Sequence, residues 1–135
     1  MAKFFIDENL HARLAVPLES VFRNHRFRSC EKEMLLGELD VPLIAELGTR
    51  GFDAIITLDA AQLRIDEERN GLRSAGLHWI GLRSPTGSGL SVISTLTANI
   101  IAGLPKVLDD WRVLPHAYRL NPYALESSFA TVELL

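Results

Sequence analysis

The sequence predicts an α/β domain in which helices flank a mostly parallel central sheet. Short runs of apolar, aromatic and β-branched residues lie at 3–7, 52–59 and 78–82, and segments with helical apolar spacing lie between them. Strands that alternate with helices are typical of a parallel sheet covered on its faces. With 135 residues, of which 47% are hydrophobic and 23% charged, the chain suits one globular domain of this class.

The first predicted strand covers residues 3–7, and a helix follows it. Leucine, valine and phenylalanine recur at helical spacing over residues 10–22, which predicts an amphipathic helix. Asn9 stands where an N-cap is expected, because its side chain can accept a hydrogen bond from a free helix amide. Pro17 lies inside this segment and is expected to kink or shorten the helix.

A second strand and a second helix are predicted next. The alternation of polar and apolar residues over 26–30 predicts a half-exposed strand. A loop then ends at Asp40, and apolar residues at helical spacing over 41–47 predict a helix. Gly48 and Gly51 are the two expected stops, since glycine favours the left-handed conformation that ends many helices.

Two further helices are predicted between the later strands. Residues 63–74 are polar and charged enough for a surface helix, in which Arg64 and Glu68 form an expected ion pair four residues apart. Residues 90–101 are rich in serine and threonine but carry apolar residues at helical spacing. The compact region is expected to close at Gly103, Pro105 and Trp111.

The last part of the chain loses the helical period. Its β-branched and aromatic content, with Asn121 and Pro122 as a turn, predicts an appended hairpin or an extended tail. The expected organisation is therefore a domain over residues 1–111 and a C-terminal extension over 112–135. This extension has too much apolar content for a free tail and is a predicted contact for a partner protein or for a homodimer.

Composition excludes several classes of function. The formal net charge of −3 is unlike that of a strongly basic nucleic-acid binder, although 11 arginines against 3 lysines favour bidentate recognition of phosphates or carboxylates. The sequence has no run of about 18 apolar residues, so no membrane span is predicted. No secretory signal is visible at the N-terminus. The single cysteine provides neither an internal disulfide nor a zinc motif. The expected location is the cytoplasm, with no membrane partner.

Three carboxylates are predicted to meet at one edge of the sheet. Asp7 and Asp59 follow the first and third strands, where ligands bind in open α/β sheets, and the loop that ends at Asp40 returns to the same edge. Oxygen ligands of this kind suit Mg²⁺, which can activate water and neutralise a phosphodiester. The alternatives are that these acids cap helices, and that Glu38 rather than Asp40 is the second acid.

The order of these motifs resembles that of a known family. The opening "FFIDENLHARLAVPLESVF", the acid at the start of "ELDVPLIAELGTRGFD" and the strand "AIITLD" are similar, in that order, to the small bacterial group of PIN-like proteins that begin with a strand and "DENL". The similarity covers roughly residues 3–83. It implies a PIN-like three-layer sandwich and a divalent-metal-dependent ribonuclease, usually the toxin of a toxin–antitoxin pair.

The resemblance also implies roles for particular residues. The metal acids of the family fall on Asp7, Asp40 and Asp59, which would hold Mg²⁺ or Mn²⁺, and Glu8 and Asn9 match its motif as an auxiliary acid and as a substrate-side or capping group. The expected partners are an RNA substrate and a cognate antitoxin protein.

The third motif departs from the family pattern. Many members read "TRDxDF" there, whereas this chain reads "TLDAAQL", so a basic residue and a fourth acid are missing. Arg64, Asp66, Glu67 and Glu68 are the candidates to replace them. Two other classes of function stay open: a binding module that kept the fold but lost the chemistry, and a phosphatase-like or receiver-like protein that uses the same acids.

Overall fold

A computed structural model of the chain describes residues 1–122 and 130–135. The strands are β1 (Lys3–Ile6), β2 (Arg26–Ser29), β3 (Ala54–Thr57), β4 (His78–Gly81), β5 (His116–Leu120) and β6 (Ala130–Leu134). The α-helices are α1 (Ala15–Val21), α2 (Asp40–Thr49), α3 (Ala61–Arg64), α4 (Asp66–Ala75) and α5 (Leu90–Asp109), and a short 3-10 helix (Ala12–Leu14) precedes α1.

The strands form one sheet in the order β2-β1-β3-β4-β5-β6. β1 to β5 pair in parallel, and β6 pairs antiparallel to β5. The predicted α/β class with a mostly parallel sheet is therefore confirmed. Because parallel strands end on the same side, the residues that follow β1, β3, β4 and β5 all lie along one carboxyl edge.

Helices cover both faces of this sheet. Successive residues of a strand point to opposite faces, so that Phe4 and Ile6 lie in one core and Phe5 in the other. The first core also contains buried residues of α1 and α5, including Leu18 and Ile100. The second contains buried residues of α2, α3 and α4. This distribution explains why the strands read as continuous apolar runs.

The first predicted helix is shorter and begins later than residues 10–22. His11 caps the 3-10 helix by accepting a hydrogen bond from the Arg13 amide at Nδ1 over 3.1 Å, so the prediction that Asn9 is the cap was wrong. Pro17 is the third residue of α1, where its missing N–H has no helical acceptor to satisfy. The helix is thus shorter than residues 10–22, as Pro17 led us to expect, and Pro17 breaks no hydrogen bond within α1.

The predicted surface helix over residues 63–74 is two helices. The chain is extended at Ile65, with ψ 113°, which separates α3 from α4 and changes the direction of the following side chains. Glu68 is consequently only 7% exposed, while Arg64 is exposed on the last turn of α3. The expected Arg64–Glu68 ion pair on a solvated face was wrong.

Helix α5 is longer than predicted and continues through Gly103 and Pro105 to Asp109. By length and composition alone it could cross a membrane. It packs against the sheet, however, and buries Leu96, Ile100 and Leu104 in the first core. This is the arrangement of a core helix in an α/β domain.

The last described strands belong to the central sheet. β5 pairs with β4 and β6 pairs with β5, so the segment expected as a C-terminal extension over residues 112–135 supplies two of the six strands. Arg69 and Arg73 of α4 donate hydrogen bonds to the main-chain oxygens of Leu134 and Leu135, which ties this helix to β6. Residues 123–129 of the predicted extension lie outside the described residues.

Candidate active site

Asp7 follows β1 and is held in one orientation by its neighbours. Its Oδ2 accepts a hydrogen bond from the Thr57 hydroxyl at 2.7 Å, and its Oδ1 accepts one from the Glu8 amide at 2.8 Å. Its own amide donates to the Ile56 carbonyl at 3.0 Å, which continues the β1–β3 ladder by one residue. The carboxylate is only 5% exposed, so it lies at the rim of the core rather than in open solvent.

Asn9 connects the ends of β1 and β3. Its Nδ2 donates to the Thr57 hydroxyl at 3.1 Å and to Asp7 Oδ2 at 3.5 Å, and its Oδ1 accepts from the Leu58 amide at 3.2 Å. The residue that the sequence predicted as a helix cap or a substrate-side group thus braces the loop after β3. Its side chain positions Asp7 through Thr57.

Asp59 lies just before α3, and Asp40 lies at the start of α2. Asp59 is half-buried, and its Oδ1 accepts a hydrogen bond from the Ala61 amide at the start of α3. The Thr57 hydroxyl accepts a hydrogen bond from the Asp59 amide at 3.0 Å, so Asp59 is linked to Asp7 through one shared group. Asp40 is the first residue of α2 and is half-buried.

Glu68 brings a fourth carboxylate to the cluster from α4. Its Oε2 is buried without a hydrogen-bond partner in the described part of the chain. The carboxyl group lies against that of Asp40, and two carboxyl groups can share a hydrogen bond only if one of them carries a proton. A proton on one of the two carboxyl groups, or a cation beside them, would relieve the repulsion between these acids.

The charge of Asp40 acts on both Asp7 and Glu68, and that of Asp59 acts on Glu68. Burial is the main cause of a raised pKa at Asp7; the charges of Asp40 and Glu8 raise it further, while the hydrogen bonds from Thr57 and from the Glu8 amide lower it. The pKa of Glu68 is raised to about 7 in total. Burial is the largest cause, and the hydrogen bond with Asp40 and the charges of Asp40 and Asp59 supply further parts of the rise. Asp7, Asp40, Asp59 and Glu68 are called the acid cluster below.

The other candidate acids lie away from this cluster. Glu8 is exposed, and its Oε2 accepts a hydrogen bond from the Gly37 amide at 3.1 Å, so it fastens the loop before α2 and acts on Asp7 through its charge. Glu38, the alternative second acid, is exposed. The charge of Asp40 is the one that raises the pKa of Asp7 and of Glu68.

Of the four residues considered for the missing fourth position, only Glu68 is buried. Asp66, Glu67 and Arg64 are exposed. Glu67 adds a small like-charge contribution to the raised pKa of Glu68. Among these four candidates, Glu68 on α4 is therefore the one whose side chain is buried near Asp40.

The donor set of the cluster fits a hard divalent cation, but its geometry is not that of a preformed centre. Carboxylate oxygens are the ligands that Mg²⁺ and Mn²⁺ prefer, and Glu68 Oε2 has no hydrogen-bond partner in the described residues that would compete with a cation. No group of three His, Cys, Asp or Glu side chains within residues 1–122 and 130–135 is arranged to hold a metal ion. The acids would have to move closer together to bind one.

Sequence reasoning missed Thr57, and it named Glu68 only as one of four candidates for the missing fourth position. Thr57 had a signal, because it stands two residues before Asp59 in "ITLD" and its side chain comes to the same edge. Glu68 had no local signal: its burial depends on the break at Ile65, which changes the helical phase of residues 66–75.

Comparisons of the chain with family models, with curated proteins and with solved structures gave no match.

Proposed function

We propose that this protein is a Mg²⁺- or Mn²⁺-dependent ribonuclease with a PIN-like three-layer fold. The observation that carries the proposal is that acids at the carboxyl edge of the sheet are linked in pairs. Asp7 and Asp59 share the Thr57 hydroxyl, and Asp40 acts on both Asp7 and Glu68; one Glu68 oxygen is buried without a partner in the described residues. Like charges in such proximity raise one another's pKa and favour a cation among them. The resemblance to the "DENL" group supports RNA as the substrate.

Each member of the acid cluster has a distinct part in this proposal. Asp7, Asp40 and Asp59 hold the cation, and Glu68 is the fourth acid. When bound there, the cation supplies charge neutralisation at the scissile phosphodiester and activates water. Thr57 and Asn9 keep the Asp7 carboxylate in its orientation through their hydrogen bonds. Glu68, with a pKa of about 7, holds or releases a proton near neutral pH.

The biological role follows from the same resemblance. The protein acts in the cytoplasm as the toxin of a toxin–antitoxin pair, and its partner is an antitoxin protein. The loop before β5 supports a contact with a partner or with a second copy, because Val113 is fully exposed and Leu114 is 60% exposed. Val113→Ser with Leu114→Ser should weaken such a contact without touching the core, which size-exclusion chromatography with and without the co-expressed antitoxin would measure.

The proposal is tested by cleavage of a 5′-labelled RNA pool with purified protein. Cleavage should require Mn²⁺ or Mg²⁺, should stop with EDTA, and should fall at least about a hundredfold in Asp7→Asn and Asp59→Asn, as is usual when a catalytic electrostatic group is removed. Glu67→Gln is the matched control for Glu68→Gln, because the exposed Glu67 precedes it on the same helix.

The outcomes separate the competing functions. Metal-dependent cleavage that persists in both aspartate variants would come from a contaminant and would contradict the proposal. Activity on p-nitrophenyl phosphate without activity on RNA would favour the phosphatase-like alternative. Calorimetric titration with Mn²⁺, which does not depend on turnover, should show binding that Asp7→Asn weakens.

A second candidate function is a PIN-like binding module without chemistry. The observation that favours it is that the described residues contain no group of three side chains arranged to hold a metal ion. Such a module would show neither Mn²⁺ binding nor RNA cleavage, while still binding its partner protein. Calorimetry and the cleavage assay together distinguish it from the ribonuclease.

A further inference from the structure

A cavity of about 380 Å³ opens beside the acid cluster. It lies over the carboxyl ends of β3, β4 and β5, and its described lining includes Leu58, Ala60, Trp79, Arg83, Arg119 and Thr131. Its volume is in the range of small-molecule sites. None of these residues was singled out by the sequence as part of a site.

The cavity and the acid cluster share one loop. Leu58 and Ala60 line the cavity, and the residue between them is Asp59 of the cluster. Neighbouring strands of a sheet are about 5 Å apart. Because the cavity lies over the ends of β3 and β4, and Asp7 and Asp59 follow β1 and β3, the cavity is one or two strand spacings away from these acids. One or two linked nucleotides span that separation.

One wall of the cavity is fixed by Trp79. Its Nε1 donates a hydrogen bond to Gln62 Oε1 at 3.1 Å. Its ring lies across Gly81, since a Cβ there would come within 1.9 Å of the ring. A glycine at this position is therefore needed for the ring to lie where it does, and the apolar wall exists before any ligand binds.

The cavity carries two arginines with different surroundings. Arg119 forms an ion pair with Glu133, and its guanidinium lies 5.9 Å from the centre of the Trp79 ring. Arg83 is exposed and has no ion pair or hydrogen bond among residues 1–122 and 130–135. A guanidinium that the described residues leave unpaired, at the mouth of an apolar cavity, suits a ligand that has both a flat apolar part and an anionic group.

We propose that this cavity binds the nucleotide next to the cleaved phosphodiester of single-stranded RNA. The base packs against Leu58 above the buried Trp79, which forms the rigid base of this wall, and Arg83 contacts a phosphate. The inference rests on the proposed ribonuclease function, because it places the adjoining phosphodiester at the acid cluster. It also explains how a chain with a net charge of −3 holds a polyanion: local arginines, not total charge, position the backbone.

The test is binding of a 5′-fluorescein-labelled eight-nucleotide RNA, measured by fluorescence anisotropy in EDTA so that no cleavage is needed. Arg83→Ala should weaken binding about tenfold and lower the slope of log K against log salt by about 0.7, the value for one phosphate contact on a single strand. Thr131→Trp, which fills the cavity from an exposed position on β6, should weaken it by a similar factor.

Arg23→Ala is the matched control. Arg23 is also exposed, but it lies between α1 and β2, at the opposite edge of the sheet, so its loss removes the same charge without touching the cavity. Its binding should stay within twofold of that of the unmodified protein. Equal weakening by Arg23→Ala and Arg83→Ala, or unchanged binding in both Arg83→Ala and Thr131→Trp, would overturn the inference.

Failure of this inference is distinguishable from failure of the ribonuclease proposal. Cleavage that depends on Asp7 and Asp59, together with binding that is indifferent to Arg83 and Thr131, would leave the nuclease intact and refute the cavity as the RNA site. Binding that depends on Arg83 and Thr131 without any metal-dependent cleavage would support the cavity and contradict the nuclease.

Discussion

The Thr57 hydroxyl donates a 2.7 Å hydrogen bond to Asp7 Oδ2 and accepts hydrogen bonds from the Asn9 side chain and the Asp59 amide. One fully buried hydroxyl thereby joins the ends of β1 and β3 and the loop that carries a second acid. Because this bond favours the ionised form of Asp7, it opposes the effect of burial on the pKa of that carboxyl.

Thr57→Val should therefore impair both stability and activity. The substitution leaves the Asp59 amide without its partner, and Asp7 Oδ2 keeps only the 3.5 Å hydrogen bond from Asn9. A loss of about 1–3 kcal/mol in the free energy of unfolding is expected. The pKa of Asp7 should rise further, so the acid limb of the pH–rate profile for RNA cleavage moves to higher pH. Urea unfolding and that profile measure the two effects. Thr57→Ser keeps the hydroxyl and should restore both; a serine variant as impaired as the valine variant would assign the effect to packing.

The raised pKa of Glu68 predicts how the stability of the folded protein depends on pH. Its pKa in the folded protein is about 7, against an ordinary value of 4.5, so the folded state holds this proton more tightly than the unfolded state does. Stability from this group is complete below about pH 4.5 and is lost as the pH rises to about 7. Glu68→Gln mimics the protonated form and should raise the melting temperature above pH 7 in EDTA, with little change at pH 4.5.

A melting-temperature series from pH 4.5 to 8.5 checks this sign. Glu67→Gln removes an exposed charge from the same helix and should give a nearly constant offset across the series. A Glu68→Gln protein that is less stable than the unmodified one at pH 8 would show that the buried carboxylate has a stabilising partner after all.

The fold class and three of the four clustered acids, Asp7, Asp40 and Asp59, were predicted from the sequence for local reasons. Apolar runs that end on Asp7 and Asp59 specify both a buried strand and the edge at which its last side chain emerges. Glu68 could be named only as one of several candidates, because its neighbours Asp66 and Glu67 are equally acidic. Only the change of helical phase at Ile65 decides which of the three points inward.

The C-terminal strands were difficult to predict for a different reason. β6 has a partly exposed pattern and owes its position to pairing with β5 and to the arginines of α4. The arginine contacts join residues more than sixty positions apart, and no window of local sequence contains them. The same limit applies to the cavity, whose walls come from four strand ends.

Arg69 offers a test of how the C-terminal strand supports the site. Its guanidinium donates to the Leu134 carbonyl at 2.7 Å and pairs with Glu133, and it directly follows Glu68 on α4. Arg69→Ala should lower the free energy of unfolding by about 1–3 kcal/mol, since it removes a hydrogen bond from a charged donor. It should also speed amide hydrogen exchange over residues 66–75.

Arg112→Ala is the control for this prediction. It removes an exposed pair with Asp110 and should change stability by less than about 1 kcal/mol. Equal effects of the two variants would argue against a specific role of Arg69 in holding β6 to α4.

Two glycines, Gly81 and Gly71, are expected to respond to alanine in opposite directions. A Cβ at Gly81 would meet the Trp79 ring at 1.9 Å, whereas one at Gly71, inside α4, would meet Ile44 at 3.4 Å, an ordinary contact distance. Gly81→Ala must displace a buried indole and should cost about 1–3 kcal/mol of unfolding free energy. It should also red-shift tryptophan emission as Trp79 becomes more exposed.

Gly71→Ala should instead be neutral or stabilising by up to about 1 kcal/mol, because alanine loses less conformational freedom in a helix. Urea unfolding of both variants, with emission spectra recorded on the folded proteins, measures the difference. If Gly81→Ala left both the stability and the emission maximum unchanged, the Trp79 ring would not lie across β4. The preformed apolar wall of the RNA cavity would then be absent.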